Sequence, residues 1–371
     1  MIKPQELKVG DTIAIVSLSK GILGEKFVAH EVEIGINRLN EMGLKVEFMP
    51  NSLKGMEYLN NHPEARAKDL KLAFKKDNIN GILCATGGND TYRLLPYLME
   101  DKEFINNVKN HPKIFMGFSD TTINHLMFYK LGLTTFYGPA FLPDLAELDK
   151  TMLPYTELYF KQLFNWTENL EIKSSPVWYK ERESYGISEI GKSRGIVKET
   201  NGFEVLNGSG IVEGELFGGC LDSINSILID RYPNEKELFE KYDLIPSKKE
   251  LKGKILFLET SEAKITPDEL LKALNVLKNN DFFETINGII IGKPIANIYY
   301  NEYKEVYMNF FKNSNIPVMY NVNFGHSVPR CILPYGVKTR INYNDKKIEI
   351  IEEPILNYNC KEKGSDLYEK E

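Results

Sequence analysis

Lys113-Ile-Phe-Met-Gly-Phe-Ser-Asp120 joins an apolar run to a tight turn. Its apolar core, Ile114-Phe-Met-Gly117, has the length and composition of a buried strand. A helical run from Ile123 to Lys130 follows at once. Strand, tight turn and helix in so short a span form the repeating unit of a parallel sheet. The same unit recurs upstream. Thr12–Ser17 reads as a first strand, and residues 24–43 show helical apolar spacing that stops at Gly43. Leu44–Met49 reads as a second strand. A helix is expected over 63–76, with Pro63 in its first turn and Asn61 or His62 before it. Gly81–Thr86 is a third strand that runs into Gly87-Gly88, and Asp90–Met99 is helical.

Beyond residue 145 this rhythm breaks. Residues 145–205 are rich in charge, aromatics, Ser and Gly, as in Tyr179-Lys-Glu-Arg-Glu-Ser-Tyr185. Order returns near Gly210, with Gly214-Glu-Leu-Phe-Gly-Gly219 and a helix after it, then Lys254–Glu259. A helix over 267–279, Gly288–Gly292, a helix near 301–313 and Pro317–Tyr320 follow. Arg340–Tyr343 and Lys347–Glu352 alternate as antiparallel strands do. The expected class is α/β: an N-terminal flavodoxin- or Rossmann-like parallel-sheet domain, and a C-terminal mixed α/β domain with a β-rich part. The expected boundaries are 1–145, a linker and substrate loop over 146–209, the second domain over 210–358, and a polar tail over 359–371.

The 371 residues exceed what one core usually holds, which agrees with two domains. Net charge is −6 with acid and base interspersed, so nucleic acid is not expected as the partner. No run approaches the roughly 20 apolar residues of a membrane span. Cys84, Cys220, Cys331 and Cys360 form no C-x-x-C pair and read as free thiols of a reducing, cytoplasmic setting. Neither a metal nor an organic cofactor is expected: there is no H-E-x-x-H, no Cys/His cluster, no Walker A and no G-x-G-x-x-G.

Ser119 sits in the turn between strand and helix. Such a turn lifts a side chain out of the sheet, over backbone N–H groups that can hold an oxyanion. That is the logic of a nucleophile elbow, although the five-residue G-x-S-x-G form is absent. Helix capping by Ser119 or Asp120 is the alternative. A serine nucleophile needs a base. His30 and His125 fall inside helical patterns, and His62 and His111 each precede a proline. His326 lies in the Gly/Pro-marked loop Asn323–Arg330 after an apolar strand, where functional groups collect. Glu259 ends the apolar strand Ile255–Leu258, and a carboxylate there is costly unless paired. Gly87-Gly88 lets backbone approach a ligand closely, and Asn89 adds a side-chain donor.

In this order the segments resemble the serine peptidase family of the LD-carboxypeptidases and the microcin C immunity hydrolases related to them. The resemblance runs from about Leu7 to Ile351. It is carried by Leu7-Lys-Val-Gly-Asp-Thr-Ile-Ala-Ile15, Gly87-Gly88 before Leu94-Leu-Pro-Tyr97, Gly117-Phe-Ser-Asp120, Phe136-Tyr-Gly-Pro-Ala140, the Gly214–Gly219 stretch, Leu256-Phe-Leu-Glu259, Gly325-His326, and Leu333-Pro334 with Gly336. It implies that Ser119 is the nucleophile, His326 the base and then acid, and Glu259 the group orienting the imidazole. The Asp120 N–H and one N–H of Gly87-Gly88 would form the oxyanion hole, and the site would lie between the domains. A homodimer is implied as well. The family often has Asn where this chain has Cys220, so one polar substrate contact is altered. The 175–205 region resembles a loop that carries a base-stacking aromatic, with Trp178 and Tyr185 as candidates.

Two substrates fit this resemblance. One is a peptidyl or aminoacyl nucleotide, cleaved at an amide. The other is a muropeptide tetrapeptide losing its terminal D-Ala. A non-catalytic two-lobed binding protein is the reading from another class.

Overall fold

The computed structural model describes residues 1–357, so the tail expected at 359–371 and Cys360 lie outside the described residues. Two sheets dominate. The first has six strands in the order Leu333–Pro334, Phe136–Tyr137, Ile114–Gly117, Ile79–Cys84, Thr12–Val16, Lys45–Phe48. All pairings are parallel except that of Leu333–Pro334. Numbered along the chain, its first five strands run 2-1-3-4-5, the flavodoxin-like order. Thr12–Val16 and Ile114–Gly117 are buried at every residue, as expected of strands covered by helices on both faces.

The second sheet has eight strands: Leu170–Ile172, Lys347–Ile350, Lys338–Asn342, Ile211–Cys220, Ile255–Glu259, Gly288–Gly292, Val318–Val322 and Glu204–Asn207. Ile211–Cys220 is the pivot. Its first half pairs antiparallel with Lys338–Asn342 and its second half pairs parallel with Ile255–Glu259. The sheet is thus parallel in its middle and antiparallel at its flanks. The helix Pro267–Asn279 starts where the sequence says it should. Thr266 and Glu269 form a reciprocal capping box and Pro267 occupies the first turn.

Residues 146–209 hold more structure than a linker. They contribute the helix Pro154–Phe160, a two-stranded ribbon of Val177–Tyr179 and Ile196–Lys198, and both outer strands of the second sheet, Leu170–Ile172 and Glu204–Asn207. Strands of three or four residues are too short to display a period of two. The helix expected over 24–43 also begins late, at Ala29, after two short 3-10 turns. There Gly24 packs against the 53–55 turn, leaving no room for a side chain.

Candidate active site

Ser119 follows the strand Ile114–Gly117 and precedes the helix Thr122–Leu131. Its φ is +65°, a conformation a serine adopts only when its surroundings impose it. The turn thereby aims the side chain away from the sheet. Neither Ser119 nor Asp120 caps the helix with its side chain. The Asp120 carboxylate instead accepts the N–H groups of Asp90 and Thr91, at 3.1 and 3.0 Å. Burial pushes the Asp120 carboxyl up to about 6.

His326 and Glu259 come from the second sheet. Glu259 is the last residue of its strand, and His326 lies in the loop after Val318–Val322. His326 Nε2 is 3.1 Å from Ser119 Oγ, and His326 Nδ1 is 2.9 Å from Glu259 Oε2. The His326 backbone N–H also donates to Glu259 Oε2, at 3.2 Å. This close approach depends on Gly325, whose φ is +76°. A Cβ there would stand 2.3 Å from Glu259 Cγ.

Tyr137 joins the two halves. Its hydroxyl donates to Glu259 Oε1 at 2.6 Å and accepts the Ser119 N–H at 3.2 Å. Glu259 is therefore fully engaged although only 1% exposed, which answers the cost of burying a carboxylate. Burial and the Glu259 charge hold the Tyr137 phenol well above its ordinary range. A hydroxyl, an imidazole and a carboxylate in this sequence can deprotonate the hydroxyl for attack.

Burial alone would favour neutral His326. The carboxylates of Glu259 and Glu262 outweigh it and push the imidazole up to about 10. Glu262 Oε2 lies 2.7 Å from His326 Nε2, and that contact holds the Glu262 carboxyl down at about 2. Sulfur, oxygen and nitrogen atoms of Cys220, Glu259 and His326 also fall within 4.8 Å of one another. The Glu259 oxygens are already taken by the His326 and Tyr137 donors, a hydrogen-bonded arrangement rather than a shared ion.

The expected oxyanion groups converge on the same hydroxyl. A Cβ on Gly87 would sit 2.7 Å from Ser119 Cβ and 3.4 Å from the Asp120 nitrogen. Among the described residues, the N–H groups of Gly87, Gly88 and Asp120 are given to no protein acceptor. The glycine loop is held from behind. Ser19 Oγ accepts the N–H groups of Asn89 and Asp90, and the fully buried Arg66 grips Asp90 with two bonds of 2.7 and 2.9 Å.

Ser119 and His326 line a cavity of about 660 Å³ with walls from both sheets. It opens at the carboxyl ends of the first-sheet strands, where doubly wound sheets bind ligands. Asn89 and Tyr185 line it. Trp178, expected beside Tyr185, does not: it stands in the two-stranded ribbon with Lys293 Nζ 5.4 Å above its ring. Cys220 lines a smaller adjoining cavity with Asn89 and Ser119, and its N–H donates to Thr122 Oγ1 at 3.0 Å. Lys20, Arg194, Glu262 and Arg330 also line the cavity, and the sequence alone assigned nothing to them or to Tyr137. Tyr137 does lie within the Phe136–Ala140 stretch that carried the resemblance, and Glu262 lies three residues past Glu259.

Known proteins resemble this chain along most of its length. The model of the LD-carboxypeptidase N-terminal domain matches residues 13–138, and that of the LD-carboxypeptidase C-terminal domain matches 213–341. A crystal structure of an MccF-like protein from Streptococcus pneumoniae in complex with AMP is similar, with 48% identity and a TM-score of 0.88, over 91% of this chain and 98% of that one. The microcin C7 self-immunity protein MccF of Escherichia coli is 29% identical over 94% of this chain and 95% of its own. A probable murein peptide carboxypeptidase of Bacillus subtilis is 26% identical over 93% and 92%.

Proposed function

This chain belongs to the LD-carboxypeptidase family of peptidases, and from that premise we propose that it hydrolyses an amide through an acyl-enzyme on Ser119. The observation that carries the proposal is the hydrogen-bonded chain from Ser119 Oγ through His326 to Glu259. His326 takes the Ser119 proton as Oγ attacks the carbonyl. The N–H groups of Asp120 and of Gly87 or Gly88 hold the oxyanion. His326 then gives its proton to the departing amine, and water attacks the ester in the second half of the cycle. Glu259 keeps Nδ1 protonated and offsets the imidazolium charge. Tyr137 helps to hold Glu259 and the Ser119 backbone in register.

For the substrate, the proposal is an aminoacyl or peptidyl nucleotide. The similarity to an MccF-like protein in complex with AMP supports it, as does Tyr185, an aromatic in the cavity wall. A cytoplasmic location and a homodimer belong to the same reading. Among the described residues no helix is long and apolar enough to cross a membrane. Release of D-Ala from a murein tetrapeptide is the second reading, supported by the murein peptide carboxypeptidase relative. Purified protein is offered an aminoacyl sulfamoyl adenosine and a murein tetrapeptide in parallel. Cleavage of the adenosine conjugate is expected. Cleavage of the tetrapeptide alone would reject the nucleotide reading.

A further inference from the structure

His326 has two ring nitrogens, and each faces a carboxylate. Nδ1 is 2.9 Å from Glu259 and Nε2 is 2.7 Å from Glu262. Ionised carboxylates only accept hydrogen bonds, so both nitrogens must carry a proton. The ring is then an imidazolium and has no lone pair for Ser119, although Ser119 Oγ is 3.1 Å from the same Nε2. The two carboxylates differ in freedom. The Glu259 side chain is 1% exposed and tied to Tyr137, whereas the Glu262 side chain is 64% exposed and borders the cavity. Only Glu262 can leave.

We propose that Glu262 is a specificity-determining latch: it holds His326 protonated at rest, and a substrate with an ammonium group beside the scissile amide draws it away and frees Nε2. This rests on the hydrolase reading above. A neutral group cannot outcompete an imidazolium for a carboxylate, because charge-assisted hydrogen bonds are the stronger ones. An α-ammonium is carried by the carbon next to the reacting carbonyl. Ser119 and Glu262 meet at one nitrogen, so an ammonium one carbon from the carbonyl under attack is within the neighbourhood of Glu262 in the proposed complex. As Glu262 turns to it, Nε2 gives its proton to water. The neutral ring keeps Nδ1–H on Glu259 and then accepts the Ser119 proton. The substrate class narrows to conjugates with a free α-amine on the acyl residue. In a murein tetrapeptide the corresponding nitrogen is tied up in a peptide bond.

The charged and titratable groups around the ring come from several elements. Besides Glu259 and Glu262, Asp222 acts from the start of the helix Leu221–Leu228, and the Cys220 thiol lies close by. Lys20 acts on Glu262 from the first-sheet side. Arg330 covers Phe118, whose ring meets that of His326 edge-on. Of these, Glu262 is the one bonded to the nitrogen that must serve as base.

The test compares the wild-type full chain with Glu262→Gln. Substrates are an aminoacyl sulfamoyl adenosine with a free α-amine and its N-acetyl derivative. The wild type is expected to prefer the free amine by roughly tenfold or more in kcat/KM, the scale of one charged hydrogen bond. In Glu262→Gln most of that preference disappears and the acid limb of the kcat/KM profile moves to lower pH. A serine-directed phosphonate should also label Ser119 faster in this variant at neutral pH. Glu262→Ala is a second variant with the same expected outcome. An unchanged preference with an unchanged acid limb overturns the latch while leaving the hydrolase intact. A wild type that is neither active nor labelled at Ser119 overturns the hydrolase reading itself, and the latch with it.

Discussion

Two buried histidines flank the Ser119 turn, one touching the Gly117 carbonyl and the other Ser119 Oγ, and behave in opposite ways. His125, on the helix after the Ser119 turn, is fully buried between the Gly117 carbonyl and the Thr135 hydroxyl, at 3.0 and 2.8 Å. Both partners are uncharged, and burial drives its pKa down to about 3. His326 is nearly as buried but is raised to about 10, because carboxylates on both nitrogens outweigh the same penalty. Burial alone therefore makes a silent structural histidine. Paired carboxylates and a hydroxyl within reach make one that can exchange protons.

The largest test of this contrast replaces the hydroxyl and the two rings in turn. Ser119→Ala or His326→Ala should lower kcat by roughly 10⁴- to 10⁶-fold. His125→Asn should leave most of the activity and instead cost about 1–3 kcal/mol in urea unfolding, the cost of unpaired buried polar groups. Equal kinetic losses at the two histidines would break the comparison. Next in size is Glu259→Gln, expected to cost on the order of 10³- to 10⁴-fold in kcat with folding retained. Gly87→Ala puts a methyl 2.7 Å from Ser119 Cβ. It should cost roughly 10²- to 10³-fold in kcat, in the range of a lost oxyanion donor. The smallest expected effect is on stability against pH. His125 has a folded pKa below its unfolded value, so its contribution is present above pH 6.5 and is lost as pH falls towards 3. Urea midpoints over that window should fall more steeply for wild type than for His125→Asn.

Much of this was legible in the sequence because the central strands and their helices are long or strongly patterned. Ile114–Gly117, Gly288–Gly292 and the helix Pro267–Asn279 lie where the apolar runs and the capping signal put them. Ser119, Glu259 and His326 were singled out by their places at strand ends and by the family resemblance, and the fold brings the three together. What escaped depends on contacts between distant residues. The outer strands Leu170–Ile172 and Glu204–Asn207 owe their state to pairing partners far along the chain. Tyr137 meets Glu259 across 122 positions, and no local pattern announces that. Trp178 and Tyr185 look alike in sequence. Only the ribbon that carries Trp178 takes it out of the cavity.

Ser119 is the proposed nucleophile, activated by the imidazole beside it. The most direct measurement treats the full-length protein with a serine-directed fluorophosphonate and follows intact mass, with peptide mapping of the adduct. One adduct per chain on Ser119 is expected. Its rate should fall strongly in His326→Ala and stay near wild type in His125→Asn. Labelling elsewhere, or at the same rate without His326, would contradict the account.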